Sequence, residues 1–469
     1  MPIIRTWQLA TGATAVGLAL AAGAVALAGP WESGRRTAEH LRAAELGSDT
    51  GTRVPPLGAA GPDRPAPAPS APRVLGALGT PTPAGPADGK PRGLGEELAP
   101  LLRDPGLGPL RGASVVDVAT GRLLYGQGDT VAMTPASTIK IATAVAALDA
   151  LGPDHRVPTT VVAAGDRLTL VGGGDASLTR TGLADLAERT ARALRARDAG
   201  EPKPVRLAYD TSLYRGNPLH PIGRNGNLAP VTALMADAGR IDPKSTGYAD
   251  RSDDPAGDAS RAFARMLDDR GVRVADAARP GRPAKGSRPL AGVHSPPLSA
   301  LVERMLTDSD NDLAEALARQ TALASGEPAS FAGGERAVRK RLSGLGLPLA
   351  GARFADGSGL DRRDRLSARL LTALLTRAAE PGRPALRPVL TGLPVAGFTG
   401  TLQSRYAGTA PGGGVVRAKT GTLTGVGALS GTAPGPDGRL LAFAFLAGGT
   451  PGRESAQDAL DRLAGALVS

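Results

Sequence analysis

The sequence contains no cysteine among its 469 residues. That absence excludes disulfides, thiolate nucleophiles, lipid attachment through a cysteine and cysteine-ligated zinc. Histidine is nearly as scarce: His40, His155, His220 and His294 lie far apart and in no metal-ligand spacing. Neither a metal nor any other cofactor is therefore expected. No histidine follows His294 and no Gly-x-Ser-x-Gly elbow occurs, which removes support for a Ser-His-Asp hydrolase. Aromatic residues make up only 3% of the chain, and no dense Lys/Arg block with interleaved aromatics is present. The net charge of +11 is accordingly read as a solvated basic surface suited to anionic surroundings, with no nucleic-acid partner.

What remains is an apolar fraction of 41%, normal for a globular protein, in a chain long enough for a large core plus an additional domain. Residues 10–29 are apolar or small and uncharged, following Arg5 and preceding Arg35 and Arg36. A run of about 20 residues spans a bilayer and exceeds the usual signal core, which favours an uncleaved anchor. Ala26-Leu27-Ala28 offers the alternative of a small-residue cleavage site. In either case residues 1–30 target the chain to the membrane and the remainder is extracytoplasmic, anchored or secreted. Residues 31–93 form a linker, dominated by Pro, Ala and Gly as in Pro65-Ala66-Pro67-Ala68-Pro69, and semi-extended on that composition.

The folded part begins near Leu94, where Leu98, Leu101 and Leu102 recur at helical spacing. Residues 113–118 and 122–125, around Thr120-Gly121, read as a β-hairpin. Pro135 opens an apolar helix to about residue 151. From 159 to 290 the signals are short strands, Gly-rich turns and one helix near 259–270, as in an insertion with a small β-rich core. Helical patterns resume at 300–324, 336–342 and 367–378. Two strands, at 414–422 and 440–447, and a helix at 454–468 close the chain.

Three short motifs carry chemistry. In Ser137-Thr138-Ile139-Lys140, residues three apart share a helix face, so the serine hydroxyl and lysine amine meet at a helix start where the dipole favours developing negative charge. The lysine serves as the base if burial or another cation lowers its pKa. In Ser309-Asp310-Asn311, a hydroxyl and a carboxamide two residues apart both reach a cleft if they sit on a bend between helices; the competing reading is a helix cap. In Lys419-Thr420-Gly421-Thr422, at the end of a strand, a strand edge offers backbone groups to an extended peptide. Lys419 and the threonine hydroxyls hold a carboxylate, and Gly421 leaves room for close approach.

The ordered set Ser-x-x-Lys, Ser-Asp-Asn, Lys-Thr-Gly is that of β-lactamases and penicillin-binding proteins. From Leu94 onward the chain resembles the D-alanyl-D-alanine carboxypeptidase/endopeptidase family, the low-molecular-mass class C penicillin-binding proteins, which are serine DD-peptidases. Further stretches carry the likeness: the hairpin ending at Tyr125, Gly172-Gly-Gly-Asp-Ala-Ser-Leu178, Ser295-Pro-Pro-Leu298, Asp356-Gly-Ser-Gly-Leu360, Leu393-Pro-Val-Ala-Gly397 and Gly400-Thr-Leu402. The insertion of about 170 residues between Lys140 and Ser309 is also of this family, though shorter than in members with two extra domains. The chain departs from the pattern where Asp361, Arg362 and Asp364 stand after Leu360, in place of Ser, Arg and Asn. It departs again in the loop 213–227, which lacks an expected tryptophan.

The resemblance implies an α/β (α+β) fold. Residues 94–158 and 291–469 would form a transpeptidase-like domain of the penicillin-binding-protein/β-lactamase type, an antiparallel sheet flanked by helices plus an all-helical part, and 159–290 an inserted small β-rich domain. It further implies a serine D-Ala-D-Ala carboxypeptidase, also competent as a DD-endopeptidase, acting on peptidoglycan stem peptides and acylated by β-lactams on Ser137. Lys140 is then the base, repulsion from Lys419 keeps it partly neutral, and Ser309 passes the proton to the leaving group. Asn311 holds the substrate amide and Lys140; Lys419, Thr420 and Thr422 receive the terminal carboxylate. A serine β-lactamase is the main alternative, yet no asparagine follows Asn311, so the Glu-x-x-x-Asn deacylation element is absent. A catalytically silent, membrane-tethered wall-binding protein would be expected to have lost a motif residue, and all are intact.

Overall fold

The computed structural model describes residues 93–198, 203–406 and 411–468. The candidate anchor at 10–29 and the Pro-rich linker lie outside the described residues. Among the described residues, no helix is long and apolar enough to cross a membrane.

In chain order the elements are α1 (Leu94–Leu101), β1 (Leu110–Asp117), β2 (Leu123–Gln127), α2 (Lys140–Leu151), β3 (Pro158–Ala164), β4 (Arg167–Gly172), α3 (Arg180–Arg197), β5 (Arg206–Asp210), α4 (Pro255–Asp268) and β6 (Arg279–Pro280). They continue with β7 (Arg288–His294), α5 (Leu298–Thr307), α6 (Asn311–Ala324), α7 (Phe331–Gly344), α8 (Ala368–Ala379), β8 (Arg417–Leu423), β9 (Val426–Pro434), β10 (Leu440–Gly448) and α9 (Arg453–Gly465).

One five-stranded sheet has the order β2-β1-β10-β9-β8 and is antiparallel throughout. Its centre is β10, Leu-Leu-Ala-Phe-Ala-Phe-Leu-Ala-Gly, buried from Leu441 onward. Such an unalternating apolar run suits a strand covered on both faces. Helices α1 and α9 cover one face, where Leu98, Leu463 and Phe443 share a core. On the other face α8 and α2 pack, with Leu371, Ala444 and Val145 in one cluster. Every residue of α2 from Lys140 to Leu148 is buried, the signature of a helix wrapped on all sides. At ~1.5–3 kcal/mol for each large aliphatic side chain removed from water, Ile141, Val145 and Leu148 anchor it firmly. The buried helix thus fixes in space whatever its first turn carries.

The second sheet, β6-β5-β4-β3-β7, is built from residues 158–294, overrunning the expected insert 159–290 at both ends; β3 pairs antiparallel with β4 and β7, while β4-β5 and β5-β6 are parallel. It carries two helices, α3 and α4, of which the sequence patterns indicated only the second. Helix α3 starts on a Thr179 cap that accepts the Gly182 N–H. It buries Leu183, Leu186, Ala187, Thr190, Ala191 and Leu194 at helical spacing, a stripe interrupted in sequence by arginines. Strand β9 also went unread: Gly427, Ser430 and Gly431 lower its strand propensity, yet all its residues but Pro434 are buried.

Candidate active site

The residues at 136–139 form a tight helical turn ahead of α2, with Ala136 at φ 46°, so that Ser137 stands half-buried at the mouth of a buried helix. Lys140 Nζ lies 3.1 Å from Ser137 Oγ, 2.7 Å from Asn311 Oδ1 and 2.6 Å from the Ser358 carbonyl oxygen. Three acceptors thus match the three N–H bonds of an ammonium. Burial pushes the Lys140 pKa down to about 8, while nearby carboxylate charge, that of Asp356 first, pulls it back up. Burial, rather than the expected repulsion from Lys419, is the largest cause of the lowering. Lys419, fully buried, is itself held well below its ordinary value, first by burial and then by repulsion between the two lysines.

Ser309 sits at φ 57° on the bend between α5 and α6. Among the described residues, no hydrogen bond joins its hydroxyl to Ser137 or Lys140. Asp310 is the cap of α6, its carboxylate accepting the Leu313 N–H at 3.0 Å. The capping reading of this tripeptide therefore belongs to Asp310, and it leaves Asn311 free to turn inward. Asn311 Nδ2 donates to the Asn227 carbonyl at 3.0 Å, tying a loop of the inserted segment to the lysine.

Strand β8 is the sheet edge next to the 136–139 turn. Ala418 N–H points outward to the Pro394 carbonyl at 2.9 Å. By the alternation of a strand, Thr420 and Thr422 N–H face the same open edge, while Lys419 and Gly421 turn their side-chain positions to the other face. Gly421 is required there: a Cβ would lie 2.7 Å from the Pro135 carbonyl and 3.2 Å from Ala136 Cβ. Lys419 Nζ donates to the Thr420 carbonyl at 2.9 Å. The Thr420 hydroxyl donates to that of Thr401 at 2.8 Å, placing the Gly400-Thr-Leu402 stretch beside the motif.

Behind the lysine is a layer no single motif revealed. Asp356 and Glu315 bind the backbone N–H groups of residues 357–361: Glu315 takes Gly357 and Ser358 at 3.0 Å each, and Asp356 takes Ser358, Gly359 and Asp361. Glu315 is paired with Arg319 at 3.2 Å, whose guanidinium lies 4.1 Å from the Phe331 ring centre. Burial pushes the Asp356 carboxyl up, but the hydrogen bonds it accepts from His220 Nε2 and the Gly359 N–H outweigh that and hold it at about 2. Asp364, which accepts the Ala355 and Asp356 N–H groups, is pushed up to about 11 by burial and then by the Asp356 charge. The one signal in sequence was the Asp356-Gly-Ser-Gly stretch; Glu315 is legible only as one helical turn beyond Asn311.

His220, Glu315 and Asp356 bring ligand atoms within 4.8 Å of one another. Their bonding capacity is already spent on Ile222 N–H, on the 357–361 backbone, on Arg319 and on one another. A metal there would have to break that network, so the residues do not fit one.

A serine hydroxyl with a lysine amine at 3.1 Å, beside an edge strand whose Thr420 and Thr422 N–H groups have no partner among the described residues, has the parts needed for acyl transfer to and from an extended peptide. Comparison with known proteins agrees. Residues 94–250 and 242–467 match the D-Ala-D-Ala carboxypeptidase 3 (S13) family. The chain is 39% identical to a carboxypeptidase of Mycobacterium tuberculosis over 86% of its length and 89% of the relative's. It is 37% identical to carboxypeptidase DacB of Mycolicibacterium smegmatis, over 90% and 91% respectively. The crystal structure of penicillin binding protein 4 from Haemophilus influenzae superposes with a TM-score of 0.67 at 22% identity, covering 78% of this chain and 97% of that one.

Proposed function

The chain belongs to the D-Ala-D-Ala carboxypeptidase 3 (S13) family, and on that premise we propose that Ser137 is the residue acylated in its reaction. The protein is a serine-type D-Ala-D-Ala carboxypeptidase. The observation that carries the assignment is the Ser137–Lys140 contact, in which Lys140 is pinned by Asn311 and Ser358.

Neutral Lys140 takes the proton of Ser137 as Oγ attacks the carbonyl carbon of the penultimate D-Ala. The N–H groups of Ser137 and Thr422 donate hydrogen bonds to the oxyanion. Lys140 then returns the proton through Ser309 to the nitrogen of the departing D-Ala, as the C–N bond breaks and an ester to Ser137 remains. Water, deprotonated by the same lysine, releases the acyl peptide. The substrate strand lies along the free edge of β8, with its terminal carboxylate at Thr420, Thr422 and Lys419. An arriving carboxylate favours the protonated form of Lys419. Asn311, whose amide meets Asn227, is placed to hold the substrate amide on exchanging that partner.

The same parts cleave the D-Ala bond of a cross-link, so DD-endopeptidase activity is a second output of the site. β-Lactams, which imitate acyl-D-Ala-D-Ala, acylate Ser137. On this proposal 94–158 and 291–469 form the peptidase domain and 159–290 the insert. Residues 10–29 anchor the enzyme to the membrane, or direct its secretion, with 31–93 as spacer and peptidoglycan stem peptides as substrate. The test is release of D-Ala from a stem pentapeptide and from a cross-linked dimer. Ser137→Ala must abolish both; retained D-Ala release in that variant would refute the assignment.

A further inference from the structure

One histidine stands enclosed beside the site with no part in the chemistry above. His220, in the inserted segment, is only 3% exposed. Its Nδ1 accepts the Ile222 N–H at 3.2 Å, and its Nε2 lies 2.9 Å from Asp356 Oδ2. A nitrogen that accepts an N–H bond bears no proton, so this hydrogen-bond pattern assigns the neutral tautomer protonated at Nε2, with Nε2–H donating to Asp356. Phe331 packs edge-on against the ring at 5.2 Å between centroids.

Asp356 thereby gathers five donors: His220 Nε2, the N–H groups of Ser358, Gly359 and Asp361, and the Ser358 hydroxyl. Ser358 is thus held at its nitrogen and at its side chain, which leaves its carbonyl a fixed direction. That carbonyl is the shortest of the Lys140 contacts, at 2.6 Å. Thr143, one turn along α2 from Lys140, secures the neighbouring Gly357 carbonyl at 2.8 Å.

We infer that His220 is a positioning residue for the reaction: by fixing Asp356 it sets the Ser358 carbonyl, and through it the place of Lys140 Nζ relative to Ser137 Oγ. The inserted segment thus takes part in acylation without touching the substrate. The inference rests on Lys140 being the base in the proposed function. Misplacing a reacting group by about 1 Å costs about 100-fold in rate, and the loss of one of five donors to Asp356 is a smaller disturbance.

The test measures the second-order rate of acylation by a fluorescent penicillin in the full chain and in two variants. His220→Met fills the space but donates nothing. His220→Gln keeps an N–H near the Nε2 position. Loss of the donor should slow acylation about 10- to 100-fold, while His220→Gln stays within about threefold of wild type. Melting temperatures of the two variants should lie close together, so that a packing defect does not explain the difference. Acylation by His220→Met at the wild-type rate overturns the inference, as does His220→Gln slowed equally with it. Absence of any adduct on the wild-type protein overturns the proposed function as well, which distinguishes the two failures.

Discussion

Replacing Asp364 with asparagine tests the account of the buried acids behind the lysine. Asp364 Oδ1 accepts the Ala355 N–H at 2.6 Å and the Asp356 N–H at 3.3 Å, while Oδ2 is buried against the Asp356 carboxylate. Its pKa is pushed up to about 11 from an ordinary 3.8 by burial and then by the Asp356 charge. Because the folded value is the raised one, its stabilising contribution is complete below 3.8 and is lost progressively as pH rises toward 11. At about 1.36 kcal/mol per pH unit, the interval from 3.8 to 7 sets an upper bound of about 4 kcal/mol on that loss at neutral pH. An amide does not titrate; it keeps the carbonyl acceptor and presents an N–H to the Asp356 charge. It also restores the residue of the family pattern at the position where this chain departs from it. Asp364→Asn should therefore be more stable at pH 7 by about 1–4 kcal/mol in urea denaturation, with the gain vanishing near pH 4 and widening at pH 9. Equal or lower stability at pH 7, or a gain independent of pH, would refute the reasoning.

Three further outcomes follow from the geometry. Gly359→Ala places a Cβ 2.1 Å from the Ala136 carbonyl and 2.9 Å from the Ser137 nitrogen, at φ 87°, so the nucleophile turn must shift; acylation by penicillin should fall by at least about 100-fold. Because Lys140 must shed its proton to act and its pKa is about 8, acylation rates should rise as pH crosses that value; a rate flat from pH 6 to 9 would contradict it. Arg319→Ala leaves Glu315 buried and unpaired, which should cost about 3–5 kcal/mol in urea denaturation.

The motifs were legible in the sequence because each pairs chemistry with a local geometric reason: three-residue spacing for Ser137 and Lys140, a helix bend for Ser309 and Asn311, an edge strand for Lys419 to Thr422. The central strand β10 announced itself by its apolar run. Burial as a cause of the perturbed lysine is foreseeable from sequence; the groups that surround it are not. The acids that oppose burial at Lys140 come from the start of α6, from Asp310 just before it, and from the 356–364 loop, far away in sequence, and only folding brings them together. The resemblance points to repulsion from Lys419; the largest cause is the complete enclosure of α2. Helix α3 and strand β9 escaped because arginines dilute the stripe of one and small residues depress the propensity of the other. His220 was dismissed as a metal ligand on spacing, and spacing alone carried no hint of its place against Asp356.

The central claim is that Ser137 carries the acyl group, and intact-protein mass spectrometry after incubation with penicillin tests it most directly. The account predicts a single adduct of the antibiotic's mass that maps to the peptide containing Ser137 and is absent from Ser137→Ala. An unmodified wild-type protein, or an adduct that persists in Ser137→Ala, would contradict it.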